Sequence, residues 1–272
     1  MKGSFQRLLS AGILAFWGVM LTYFWSSGRL ASYLHPSFQV WTAVSGVILL
    51  VLAGALWFLP PAEESHCHSD CGHLHDEPQM SRRIVATLVL VLPMLAAAKI
   101  SPDQFGPATV SNRGFIEKIN DLPGYQPAVD LSSSDKAGSE TEAGAKPSLP
   151  RNEAGQIAIQ TIDLLYAAEE PAMRADFENN EVELIGQYMP ARAHNSEGDR
   201  FNLVRMFVVC CAADARPVAV TVQTAKKDSI AEMSWVKVTG KATFPVEGGQ
   251  RIPMVVAKEV ALCDPPEETF IY

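Results

Sequence analysis

Two long runs without a charged residue open the chain, and they limit its fold more than any other feature. One covers Leu8 to Gly28 and the other Phe38 to Leu59. Each has roughly the 20 residues a helix needs to cross about 30 Å of hydrocarbon. Trp17, Trp25, Trp41 and Trp57 lie in these runs, some near the ends, where amphipathic rings favour the membrane interface. A third, shorter run, Ile84 to Ile100, contains Pro93. Proline removes one helical hydrogen bond, a loss that membrane helices tolerate when neighbours compensate. The sequence therefore predicts three spans, at about 8–28, 38–59 and 84–100, in a membrane domain over 1–119. For the third run, a buried or re-entrant segment is the alternative. The first run is longer than the apolar core of a signal peptide and no A-x-A site follows it, so an uncleaved helix is expected.

Basic residues near span ends set orientation. Lys2 and Arg7 precede the first run and Arg82 and Arg83 the third, whereas Arg29 and Lys99 lie at the opposite ends. Three spans then place the N-terminus in the cytoplasm and everything after residue 100 outside. Without the third span, the C-terminal part is cytoplasmic. The first two runs hold no Asp, Glu, Lys, Arg or His. Transport pathways usually need such groups in the bundle interior, so the helices read as a lipid-embedded anchor or as a subunit packed on another membrane protein. Gly46, Ala53 and Gly54 permit close helix approach.

Between the second and third runs, in the loop 60–83, stands His66-Cys67-His68-Ser69-Asp70-Cys71-Gly72-His73-Leu74-His75. Four of the chain's 6 histidines and two of its 5 cysteines fall here. Imidazole and thiolate suit zinc or another divalent transition metal. His66, Cys67, His68, Cys71, His73 and His75 are the candidate ligands. A solvated polar loop with incidental affinity is the competing reading, because the spacing is not that of a zinc finger.

Residues 120–155 are rich in Ser, Gly, Pro, Ala and Glu, which cannot bury a core, and read as a flexible linker. The domain 156–272 follows. Ile157, Ile159, Ile162, Leu164 and Leu165 suggest a short helix that ends before Pro171. Five stretches then carry strand character: Glu181–Tyr188, Phe201–Cys210, Pro217–Gln223, Trp235–Thr243 and Ile252–Leu262. They predict a small all-β domain, an OB-like five-stranded barrel behind a short N-terminal helix, with a β-sandwich as the alternative. Nucleic acid is excluded as a partner by charge. The whole chain carries −8, and residues 151–272 hold 12 basic against 18 acidic side chains.

Cys210 and Cys211 end the second predicted strand, where alternation would send one sulfur inward and the other outward. Cys263 closes the fifth strand. Three readings stay open: buried apolar cysteines, a disulfide from Cys263 to Cys210 or Cys211, or a thiol or second metal site with Asp214 or His194. The chain has no nucleophile elbow, P-loop or dinucleotide fingerprint, so a non-enzymatic role is expected.

Several segments resemble the YcgQ-like family of bacterial membrane proteins: Ser111-Asn112-Arg113-Gly114, Phe201-Asn202-Leu203-Val204-Arg205, Cys210-Cys211-Ala212-Ala213-Asp214-Ala215-Arg216-Pro217, and Trp235-Val236-Lys237-Val238-Thr239-Gly240. The resemblance covers most of the chain outside the linker, and the Cys-Cys element is its most specific part. It implies N-terminal spans, a C-terminal domain of unknown function, and an accessory subunit beside a multi-span predicted permease in the bacterial inner membrane. Two functions follow as expectations. One is a permease subunit that handles zinc or a similar ion through the His/Cys loop. The other is a membrane-tethered extracytoplasmic binding or assembly module with no metal role.

Overall fold

The computed structural model describes residues 2–59, 80–100, 105–123, 151–152, 154–191, 195–225 and 229–272. The chain divides into two units, Met1–Gln104 and Phe105–Tyr272. The boundary falls earlier than the expected 119, because residues 105–122 pack with the β domain. Of the expected linker, 120–123, 151–152 and 154–155 are described; 124–150 lie outside the described residues, as do 60–79, which hold the His/Cys cluster.

In the first unit, helix α1 (Lys2–Ser26) turns back into α2 (Pro36–Phe58). Gly28 takes a positive φ of 72° at the turn, the usual way to end a helix without a Cβ clash. Pro36 then opens α2, and His35 Nδ1 accepts the Ser37 N–H at 3.2 Å. The two helices run antiparallel, with Gly18 against Gly46. A Cβ on Gly18 would lie 2.7 Å from Leu50 Cγ and 2.9 Å from the Gly46 carbonyl oxygen. Gly46 and Ala53 are buried as the small-residue pattern suggested, whereas a Cβ on Gly54 would meet open space. Arg7 Nε donates to the Leu56 carbonyl at the far end of the hairpin.

Two stretches, Arg7–Ser26 and Pro36–Phe58, are long and apolar enough to cross a membrane, and most of their surface is exposed. The third helix, α3 (Met80–Ile100), continues through Pro93, and its apolar stretch Ile84–Ile100 is shorter. Two candidate spans therefore stand where three were expected.

The second unit begins with α4 (Pro107–Arg113). It continues through β1 (Ile157–Ala158), α5 (Thr161–Glu169) and α6 (Pro171–Phe177) to the strands. The expected helix starts at Thr161, not at Ile157, because Ile157 and Ala158 pair as a strand with Val182 and Glu183. The Gln160 N–H donates to Asp163 Oδ2 at 2.8 Å and fixes the start of α5.

Five strands close a barrel: β2 (Glu181–Pro190), β3 (Arg200–Phe207), β4 (Arg216–Gln223), β5 (Trp235–Thr243) and β8 (Met254–Leu262). The order is β2-β3-β4-β8-β5 and back to β2, with β4 and β8 parallel and the other pairs antiparallel. A small hairpin, β6 (Val246–Glu247) with β7 (Gln250–Arg251), links β5 to β8. The interior comes from alternate residues, including Val182, Leu184, Leu203, Val220, Val222, Val236 and Val238, and α5 adds Leu164, Ala167 and Ala168.

The outer face of β3 is also covered. Val110 of α4, Met206, Val208 and Phe270 form a second cluster there. Strand β9 (Phe270–Ile271) pairs in parallel with Met206 and Phe207, where β2 no longer reaches β3. Ile116 bridges to Val218, on the stretch of β4 ahead of its pairing with β8. Segments before and after the barrel thus satisfy strand edges that would otherwise stay open.

Candidate functional site

Strand β3 ends at Phe207, three residues before the predicted end, so the vicinal cysteines lie in the turn that leads to β4. Strand alternation does not apply there. Both sulfurs lie on one side, with Cys210 Sγ 3.6 Å from Cys211 Sγ. Cys210 is exposed and Cys211 half-buried.

Asp214 builds this turn. Its Oδ1 accepts the N–H of Val209 at 3.0 Å, and its Oδ2 accepts those of Cys210 at 2.8 Å and Cys211 at 3.1 Å. The Asp214 N–H in turn donates to the Cys211 carbonyl at 3.0 Å. A short carboxylate that gathers successive backbone N–H groups is a standard turn device. From outside the turn, Arg113 Nη1 donates to the carbonyls of Ala212 at 2.9 Å and Ala215 at 2.6 Å. The Arg113 guanidinium rests 5.1 Å from the Phe105 ring centroid. The turn is therefore fixed before any ligand arrives.

The electrostatics follow from this geometry. The Cys210 thiol is pushed up to about 12, first by its hydrogen bond to Asp214 and then by that to Cys211. Burial alone would raise Asp214, but the Cys210 thiol and the three backbone donors outweigh it and hold the carboxyl below its ordinary range. With no ion bound, Cys210 keeps its proton at neutral pH.

Cys210 Sγ, Cys211 Sγ and an Asp214 carboxylate oxygen lie within 4.8 Å of one another. Two sulfurs and an oxygen at that separation can converge on one borderline-soft cation. Cys263 stands apart from this group. Its N–H donates to the Trp235 carbonyl, and burial raises its thiol. All three cysteines are free, so the disulfide reading is not realised in this structure. His194, the other ligand considered, and His66, Cys67, His68, Cys71, His73 and His75 lie outside the described residues.

Two arginines, Arg113 and Arg205, entered the sequence reading only as part of a resemblance. For Arg113 the signal was a lone cation in a Ser-Asn-Arg-Gly stretch shortly after an apolar run. Arg205, only 5% exposed, donates to the Ile185 carbonyl and to those of Glu268 and Phe270, fastening the C-terminal segment to β3. No spacing marked it.

An apolar helical hairpin of membrane-spanning length and a closed five-stranded barrel that bears a thiol–carboxylate turn together define the class of protein. Within that class, residues 9–116 match the DUF1980 N-terminal domain and residues 145–272 the DUF1980 C-terminal domain. The chain carries both DUF1980 domains in that order, and the YcgQ-like resemblance is consistent with them. No curated protein matches the chain.

Proposed function

We propose that this protein is an accessory subunit of a multi-span permease, held in a bacterial inner membrane, and that it handles zinc or a similar divalent transition metal. The observation that carries this reading is the Cys210–Cys211–Asp214 cluster, three ligand atoms within 4.8 Å on a turn that is already fixed. Two thiolates and one carboxylate leave the fourth tetrahedral position free. An open position suits an ion that is passed on, whereas structural zinc sites are closed. The role is not enzymatic. The His/Cys loop at 66–75 supplies a second set of soft ligands.

The helices support an anchor rather than a pathway. Neither candidate span holds a charge beyond Arg7 at its end, so a conduction route would belong to the partner. For three spans, the support is the position of α3. Arg29 Nη1, in the α1–α2 turn, donates to the Ala98 carbonyl at 2.7 Å. Helix α3 thus ends beside that turn, and its 21 residues give about 30 Å of length. With the N-terminus cytoplasmic, the His/Cys loop faces the cytoplasm and the barrel faces outward. The barrel's pairing order is that of the OB type.

The test is a cobalt(II) titration of the full chain in detergent. Wild type, Cys210→Ser/Cys211→Ser, and the quadruple His66→Ala/His68→Ala/His73→Ala/His75→Ala variant are compared. The expected result is thiolate–cobalt absorption with a Kd on the order of 10⁻⁶ M or tighter, from which the double cysteine variant removes the share that belongs to the turn. Absorption unchanged in that variant would remove the turn as a metal site. The histidine variant reports separately on the loop. Proton release should accompany binding, because both thiols must ionise.

A further inference from the structure

A groove of about 470 Å³ lies on the outer face of strands β3 and β4, beneath the β6–β7 hairpin. It is on the opposite side of these strands from the interior cluster and does not include the cysteine turn. Its size falls within the range of small-ligand sites.

The chemistry of its floor is neutral and polar. Asn202 of β3 and Thr221 of β4 are half-buried and directly opposite each other in register. Neither side chain has a hydrogen-bond partner among the described residues, and the same holds for Gln250, which is exposed on the hairpin. An amide offers two donors and an acceptor, and a hydroxyl offers one donor and two acceptor lone pairs. Half-buried groups of this kind gain most from a ligand that brings its own hydroxyls or amides. Phe115 lines the same groove and adds an apolar face.

The charges of the groove narrow the ligand. Arg200 Nη1 and Glu247 Oε1 are 2.7 Å apart, so the cation is neutralised within the site. Glu117 adds a further negative charge to the lining. Among the described residues of the lining, a phosphate-bearing ligand finds no surplus positive charge. An extended peptide added as a strand needs an open sheet edge. None is offered, because β3 and β4 pair with each other from Arg200↔Gln223 to Phe207↔Arg216. Five-stranded barrels of this order take oligonucleotides or oligosaccharides on the face of their second and third strands, flanked by the loops after the first and fourth. Here those strands are β3 and β4, and the flanking loops supply Ala191 and the β6–β7 hairpin. Of the two ligand kinds, charge leaves the sugar.

We infer that this groove binds a short neutral saccharide. The Asn202 amide, the Thr221 hydroxyl and the Gln250 amide bond to ring hydroxyls, and Phe115 lies against a sugar face. The Arg200–Glu247 pair holds the hairpin over the site. This inference does not depend on the metal turn.

The experiment is calorimetric titration of the full chain in lipid nanodiscs, since sugar-based detergents would compete. The probes are chitotriose and maltotriose, with oligo-dT and a lysine-containing hexapeptide as alternatives. Saturable binding of at least one triose is expected. Asn202→Ala/Thr221→Val should weaken it at least tenfold. Thr221→Ser, which keeps the hydroxyl and reports on folding, should retain it, and so should Cys210→Ser/Cys211→Ser. The inference is overturned if neither triose saturates below about 10 mM. It is equally overturned if binding survives the double substitution, or if only oligo-dT or the peptide binds. Loss of triose binding in the cysteine variant would tie the ligand to the turn and overturn the separate groove.

Discussion

Asp214 decides what the vicinal cysteines can do. One carboxylate holds three backbone N–H groups and also receives the Cys210 thiol. Its folded pKa is depressed, so its contribution to stability is present above the ordinary aspartate range and is lost as pH falls through the folded value. Cys210 has the opposite sign. Its raised pKa favours the neutral thiol below the ordinary cysteine range, and that contribution is lost as pH rises through about 12. Asp214→Asn removes the charge and the strongest cause of the shift. The Cys210 pKa should then fall, and its alkylation by iodoacetamide at pH 8 should speed up about tenfold or more, since the thiolate is the nucleophile. Peptide mass spectrometry reads the rate at Cys210 itself. An unchanged rate would mean that the hydrogen bond does not control the thiol. The Cys-Cys-x-x-Asp spacing was visible in the sequence. Its geometry was not, because it depends on the strand ending at Phe207 and on Arg113, about a hundred residues away, reaching the turn.

At the level of elements, alternation made the five strands legible. Val218, Val220 and Val222 point inward as their period of two implies. The short pairs β1 and β9 were not legible, since two residues carry no period. The cover of residues 105–122 was missed because isolated apolar residues such as Val110, Ile116 and Ile119 show a buried face only once a barrel is there to receive them. The bulge in β8, which leaves Lys258 unpaired, was equally hidden. The register between β5 and β8 shifts between Thr239 and Gly240, and a Cβ on Gly240 would run into the Val256 carbonyl. Only glycine lets the two backbones approach this closely. Gly240→Ala should therefore destabilise the barrel by about 2–3 kcal/mol, the scale of an overpacked interior. Gly54→Ala, where the added methyl meets open space, serves as the control. Urea unfolding followed by Trp235 fluorescence measures the first, and a shift no larger than the control's would refute the close-approach account.

For the whole molecule, the side of the membrane on which the barrel stands decides whether its chemistry is plausible. In the Cys210–Cys211 turn Cys210 is exposed and Cys211 half-buried. In a reducing cytoplasm the turn's thiols would stay free, whereas an oxidising exterior exposes them to disulfide formation unless a metal or the raised pKa of Cys210 protects them. The acidic chain, at −8, also concentrates cations at whichever surface it faces. The proposal of three crossings and an outward barrel rests on the placement of basic residues and on the contact from Arg29 to Ala98. The sequence alone left the third helix ambiguous for a physical reason: Ile84–Ile100 is shorter than the other apolar stretches and near the minimum for hydrocarbon thickness. A reporter enzyme that is active only outside the cytoplasm, fused after Tyr272, should be active in the wild type. Deletion of residues 84–100 should abolish that activity, because one fewer crossing returns the C-terminus to the cytoplasm. A silent wild-type fusion would mean that α3 does not cross, would place the cysteine turn on the reducing side, and would leave two crossings as the whole anchor.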